Sequence, residues 1–140
     1  MILLDTNIIS ELMRPKPQPA VVQWLNNQDA LDVYISVITI AEIEYGLKIL
    51  PEGQKRWGLK QKFDWLIAQG FSERVLDFTA EAALHYADIM AYRRSLGLPM
   101  SVPDGQIAAL ARLKRFTLAT RNVKDFEECG LMLVNPFSIV

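Results

Sequence analysis

Three acidic side chains stand where they can do chemistry. Asp5 follows the short apolar run at residues 2–4, Glu42 lies in the helical stretch after the run at 33–35, and Asp104 opens the helical stretch leading to the run at 116–119. Thr120, Arg121 and Asn122 follow that last run. If the runs are parallel strands, ligands bind beyond their carboxyl ends, and all of these residues can reach one rim. Carboxylates gathered there repel one another and raise each other's pKa until a cation neutralises them, and hard oxygen donors suit Mg²⁺ or Mn²⁺. Such an ion acidifies a bound water and stabilises charge on a phosphodiester under in-line attack. The chemistry then needs neither the single histidine, His85, nor the single cysteine, Cys129.

Each acid also has an ordinary reading. Asp5 can cap the helix beginning near Asn7. Glu42 can be a solvated residue of a good helix-forming stretch, with Glu44 two positions on. Asp104 beside Pro103 suits a first helical turn, where it complements the helix dipole by about 0.3–1 kcal/mol. What favours metal ligation is the presence of all three. His85 reads as a packing residue and Cys129 as inert, and Trp24, Trp57 and Trp65 read as packing or interface residues. Arg14, Lys16, Arg121 and Lys124 sit in or beside rim loops and can hold phosphates, Arg121 foremost.

The elements that must position these residues are legible as alternating patterns. Runs rich in Ile, Leu and Val at 2–4, 33–35, 74–76, 116–119 and 131–134 predict five buried strands. Helical spacing joins Ile8 to Leu12, Val22 to Leu25, Ile40 to Ile43, Leu47 and Leu50, Ala83 to Tyr86, Ala87 and Met90, and Ile107 to Leu110 and Ala111. Alternation of the two implies a parallel α/β sheet. Pro51 and Gly53 close one helix, Thr79 opens another, and residues 54–69 form a further helix between the second and third strands, so a helical hairpin is expected to project there. Residues 14–19, RPKPQP, read as a stiff connection. The first strand leads into DTNIIS, with no glycine before Gly46, which excludes a phosphate loop or dinucleotide fingerprint.

Composition bounds the rest. A chain of 140 residues, 51% hydrophobic, is expected to form one domain, 1–140, with a full core. A net charge of −1 excludes gripping nucleic acid by overall basicity, so any such contact is local. One cysteine permits neither an internal disulfide nor a cysteine-based zinc cluster, and the start of the chain lacks a signal or spanning pattern, so a soluble cytoplasmic protein is expected.

Four segments, LLDTNIISELMR, SVITIAEIEYGLK, PDGQIAALARLK and LATRNVKDF, together resemble the successive signatures of the PIN-domain superfamily, and most nearly the VapC/FitB-type toxins of bacterial toxin–antitoxin pairs. The resemblance implies a three-layer PIN-like α/β domain, with a central five-stranded parallel sheet flanked by helices and the helical hairpin. It implies a Mg²⁺-dependent (or Mn²⁺-dependent) endoribonuclease with Asp5, Glu42, Asp104 and Asn122 as the catalytic set. Asp5 and Asp104 would be the principal metal ligands, Glu42 a ligand or water-orienting base, and Asn7 and Thr120 the support for substrate. It also implies a homodimer, RNA as substrate, a small antitoxin that covers the acidic site, and DNA contact only through that antitoxin. Asn122 stands where the family's fourth residue is acidic or amide, and Asp125, about one helical turn on, is the alternative source of that charge. Two other readings stand beside this one: a PIN-like binding module without catalysis, and a receiver domain phosphorylated on Asp77.

Overall fold

The computed structural model describes residues 1–138. Strands β1 (Ile2–Leu4), β2 (Val33–Ser36), β3 (Val75–Leu76), β4 (Thr117–Ala119) and β5 (Leu133–Val134) form one sheet in the order β3-β2-β1-β4-β5, every pairing parallel. Helices α1 (Thr6–Leu12), α2 (Pro19–Asn26), α3 (Val37–Lys48), α4 (Gln54–Gly70), α5 (Ala80–Ser95) and α6 (Val102–Lys114) flank it. The expected five-stranded α/β architecture is what forms. β4 starts one residue later than its apolar run because the Phe116 N–H is used to close α6, donating to Ala111 O at 3.0 Å beyond a left-handed Arg115.

Side chains of successive strand residues point to opposite faces, and this alternation builds the three layers. Leu4 and Ala119 join Ile8, Ile9, Ile35, Ile43 and Phe63 in a core on the α1–α4 face. Leu3 and Leu118 join Ile89, Ile107, Leu110 and Phe126 on the α5–α6 face. The central strands are buried on both faces, which is why they read as continuous apolar runs rather than alternating ones.

The hairpin between β2 and β3 is present as α3 and α4, but its inner side packs down rather than projecting free. Phe63 is fully enclosed, and Lys60 ties α4 to Glu44 of α3 at 2.6 Å. Trp24 packs on the core, whereas Trp57 and Trp65 are exposed on α4, so the packing reading holds for only the first of them. The RPKPQP connection is clasped by the buried Glu11, which accepts the Gln18 N–H at 2.9 Å and the Arg14 guanidinium at 3.2 Å. Burial alone would raise the Glu11 pKa, but these two donors outweigh it and hold the carboxyl below its ordinary value.

The strand order reverses direction between β1 and β4, so the crevice beyond their carboxyl ends is the place where a ligand fits. Asp77 follows β3 at the sheet edge, two strands from that crevice, which leaves the receiver reading without a site.

Helix α6 carries Asp104 in its first turn and is held against α5 at a fixed distance by Gly105. A β-carbon there would overlap Met90 Sδ and lie 2.9 Å from a Tyr86 ring carbon. Gly105→Ala gains helix propensity but must displace the Met90 side chain and the Tyr86 ring, and overpacking of this kind costs about 1–3 kcal/mol. The variant should therefore unfold at lower urea concentration than the parent, by a net amount on the order of 1 kcal/mol. Equal or greater stability would show that the helices have room to spare.

Candidate active site

Asp5 leaves β1 directly into α1 and is buried, 4% exposed. Its N–H continues the sheet, donating to Ala119 O at 2.9 Å, which fixes the residue at the β1/β4 crevice. Oδ1 accepts the Thr6 N–H at 2.8 Å, and Oδ2 accepts the Thr120 hydroxyl at 2.8 Å and Asn7 Nδ2 at 3.2 Å. The capping reading of Asp5 is therefore met by Oδ1, while Oδ2 is turned to Thr120 and Asn7. Burial nevertheless wins over the donors. With smaller contributions from the negative charges of Asp104 and Glu42, it lifts the Asp5 pKa from an ordinary 3.8 to about 6.

Glu42 enters from α3, which the Ser36 hydroxyl caps by accepting the Thr39 N–H at 3.3 Å. The Thr6 hydroxyl donates to Glu42 Oε1 at 2.7 Å and lies 3.0 Å from the Thr39 hydroxyl. Since the one Thr6 proton goes to the carboxylate, Thr39 is left to donate to Thr6. A chain of two hydroxyls thereby links α1 to α3 and holds Glu42 at the crevice. Asp104 enters from the opposite layer, half-buried on α6, whose cap Ser101 accepts the Asp104 N–H at 3.3 Å. Burial raises the Asp104 pKa, the Ser101 hydroxyl lowers it, and the charges of Asp125 and Glu42 raise it further.

The three acids therefore lie in one electrostatic neighbourhood. Among the described residues, however, no three His, Cys, Asp or Glu side chains are close enough to form a ready ligand cage. Asn122 is exposed, and its N–H donates to the Thr120 hydroxyl oxygen at 3.0 Å while its side chain makes no described hydrogen bond. Asn7 joins Asp5 to the β4 end, since its Oδ1 accepts the Arg121 N–H at 3.3 Å. His85 lies on α5 with Nδ1 buried and without a partner among the described residues, outside this set of bonds. Sequence reasoning missed Thr6 and Thr39, the residues that aim Glu42. The only signal for Thr6 was its place between Asp5 and Asn7, and nothing marked Thr39.

A parallel sheet with this order, and acids at the β1–α1 junction, on α3 and on α6 around its switch point, defines a PIN domain. The model of the family described as PIN domain matches residues 2–130, and the chain belongs to that family. It is 39% identical over 137 residues to the VapC ribonuclease Y4jK of Sinorhizobium fredii, covering 98% of each chain. It is also 39% identical to Toxin FitB of Neisseria gonorrhoeae, covering 98% of this chain and 99% of that one. Among solved structures it is similar to FitAB bound to a DNA fragment, with a TM-score of 0.92, 38% identity, and coverage of 100% of this chain and 98% of that one. No helix among the described residues is long and apolar enough to cross a membrane.

A raised acid pKa has a definite consequence for the metal-free chain. Between 3.8 and about 6 the folded state holds the Asp5 proton more tightly than the unfolded state, so stability falls as pH rises through that window and levels off above it. The whole drop is on the order of 3 kcal/mol. Asp5→Asn removes the titrating group. In EDTA its unfolding free energy should lack this component of the decline between pH 4 and pH 6, whatever the fixed effect of the amide on hydrogen bonding. Urea titrations at several pH values check this, and parallel curves for parent and variant would contradict it.

Proposed function

We propose that this chain is a divalent-metal-dependent endoribonuclease acting as the toxin of a bacterial toxin–antitoxin pair. The observation that carries the reading is the buried Asp5, held at the switch point with Glu42 and Asp104 in its field. The donors available are carboxylate, hydroxyl and amide oxygens, which fit a hard ion. Mg²⁺ characteristically keeps several waters and takes only one or two carboxylates, so it does not need a closed cage. Asp5 and Asp104 would hold it, with Glu42 as ligand or water-orienting base, and Mn²⁺ would serve in the same place. The bound ion supplies charge neutralisation and an acidified water for phosphodiester hydrolysis.

The chain's own groups do the positioning. Thr120, Asn7 and Thr6 fix both oxygens of Asp5, so it meets an ion without rearranging. Glu42 uses Oε1 on Thr6 and leaves Oε2 without a described partner, available to orient a water and take its proton. Asn122, with an unengaged side chain, contacts substrate, while Asp125 supplies negative charge that Asp104 feels.

An antitoxin partner is supported by a cleft of about 560 Å³ between α1, α3 and α4. It runs from Thr6 and Glu42 along Ile43, Leu47 and Leu59. A mainly apolar groove with Glu42 at one end and Arg14 and Lys55 also on its wall fits an amphipathic segment that brings a positive side chain to Glu42, where partial burial strengthens the attraction. VapBC2 of Rickettsia felis, to which the chain is similar at 27% identity and a TM-score of 0.82, is bound to a DNA fragment from its promoter, which supports promoter contact through the antitoxin. The family also argues for a homodimer and for the bacterial cytoplasm.

Purified protein should cleave RNA in Mg²⁺ or Mn²⁺ and stop in EDTA, and Asp5→Asn or Asp104→Asn should lower the rate by at least about a hundredfold. Metal-independent cleavage by pure protein would sink the mechanism. The fourth position separates by metal titration. Asp125→Asn should raise the Mg²⁺ concentration for half-maximal rate by about two- to fivefold and leave the saturated rate intact. Asn122→Ala should instead lower the saturated rate. The opposite pattern would make Asp125 the residue that touches substrate.

A further inference from the structure

Arg121 follows Thr120 at the mouth of the crevice, and its guanidinium lies over the Phe137 ring, 4.6 Å from the ring centre. We infer that Arg121 grips an RNA phosphate beside the acidic site, and that Phe137 and Asn135 hold it in position to do so; this rests on the ribonuclease reading above.

Phe137 is half-buried and packs on the α1–α4 core, so it is a fixed platform rather than a loose neighbour. The Asn135 side chain ties platform to arginine: Nδ2 donates to Arg121 O at 3.3 Å, and Oδ1 accepts the Phe137 N–H at 2.9 Å. On the other side, the Arg121 N–H donates to Asn7 Oδ1, and Asn7 Nδ2 donates to Asp5 Oδ2. The Arg121 backbone is thus strung between the acidic site and the turn after β5.

The plain alternative is an exposed arginine that merely covers an aromatic ring. Two features argue for more. Arg121 forms no ion pair with any described residue, and Glu11, whose carboxyl feels its charge, is already engaged by Arg14 and the Gln18 N–H. Stacking uses only the flat face of the guanidinium, so the N–H edge stays open for the bidentate contact that phosphate oxygens accept. A stacked side chain also loses less rotamer freedom on binding. In a chain of net charge −1, such a local unneutralised cation is what an anionic substrate needs next to an acidic centre.

The test uses the full chain and a fluorescein-labelled single-stranded oligoribonucleotide, followed by anisotropy in Ca²⁺, a hard cation with looser geometry than Mg²⁺. Arg121→Gln should weaken binding about tenfold and reduce the slope of log affinity against log salt by about 0.7, the value for one lost phosphate contact on a single strand. Arg121→Lys should keep the salt slope and lose about threefold. Phe137→Leu keeps apolar packing without the ring face and should lose about two- to fivefold in affinity while remaining folded at the assay temperature, and Phe137→Trp should bind like the parent. If the parent itself fails to bind RNA, the ribonuclease reading falls and this inference with it. If the parent binds and Arg121→Gln matches it in affinity and salt slope, the phosphate grip is overturned while the ribonuclease reading stands. If only Phe137→Leu matches the parent, the platform is overturned and the arginine contact remains.

Discussion

The Thr120 hydroxyl donates to Oδ2 of Asp5 at 2.8 Å, joining the ends of the two central strands with a charge-assisted bond in a buried place. A carboxylate so placed is costly to ionise, and three donors do not cancel that cost: the Asp5 pKa remains raised to about 6. The strands, caps and helix contacts around the site can be understood as what holds this group where folding energy alone would not leave it. A hydrophobic residue would be easier to bury there. Its absence marks the crevice as a place where the fold gives up stability to keep a negative charge ready.

The two layers deliver their acids by different means. On the α1–α4 side, delivery is by hydrogen bonds, with Thr39 and Thr6 relaying α3 to α1 and leaving one oxygen of Glu42 uncommitted. On the α5–α6 side, it is by packing, since Gly105 lets α6 lie close against α5 and so sets the depth of Asp104. The distinction matters because a hydrogen-bonded side chain can be retuned by one hydroxyl, whereas a packed helix moves only as a body. The first layer also carries the apolar cleft that begins at Thr6 and Glu42, so whatever fills that cleft touches the acid that is held by hydroxyls.

The fold was readable because parallel strands buried on both faces leave continuous apolar runs, and because Thr79 at a helix start and Pro103 in a first helical turn are strong local signals. Asp5 and Asp104 stood out by position, one after a strand and one at a helix start, whereas Glu42, in the middle of α3, was singled out only by the family resemblance of its AEIEYG context. Less readable was anything fixed by long-range contact. That α4 would fold its inner side onto the core through Phe63 depends on partners distant in the chain. Thr39 looks like any helical threonine until its hydroxyl meets Thr6, 33 residues away. Nor does anything near Arg121 in the sequence announce that Phe137 will lie beneath it. Asn122 illustrates the limit best: spacing placed it at the rim, but spacing cannot tell a side chain that faces a ligand from one whose backbone alone is engaged.

An acidic centre repels the polyanion it is to cut, and a chain with 15 basic and 16 acidic residues cannot offset that with a general positive field. Local arrangement has to do it. Around the crevice, positive charge is partly spent, as where Arg14 satisfies the buried Glu11, and partly kept free, as at Arg121 stacked on Phe137. Neutral donors take the remaining work, because Thr6, Asn7 and Thr120 stabilise the Asp5 carboxylate without cancelling its charge. Had a lysine or arginine paired directly with Asp5, the carboxylate would be comfortable and its attraction for a divalent ion much weaker. On the proposed function, solvating the acid with dipoles while holding the cation to one side leaves the negative charge for an ion and the positive charge for a phosphate.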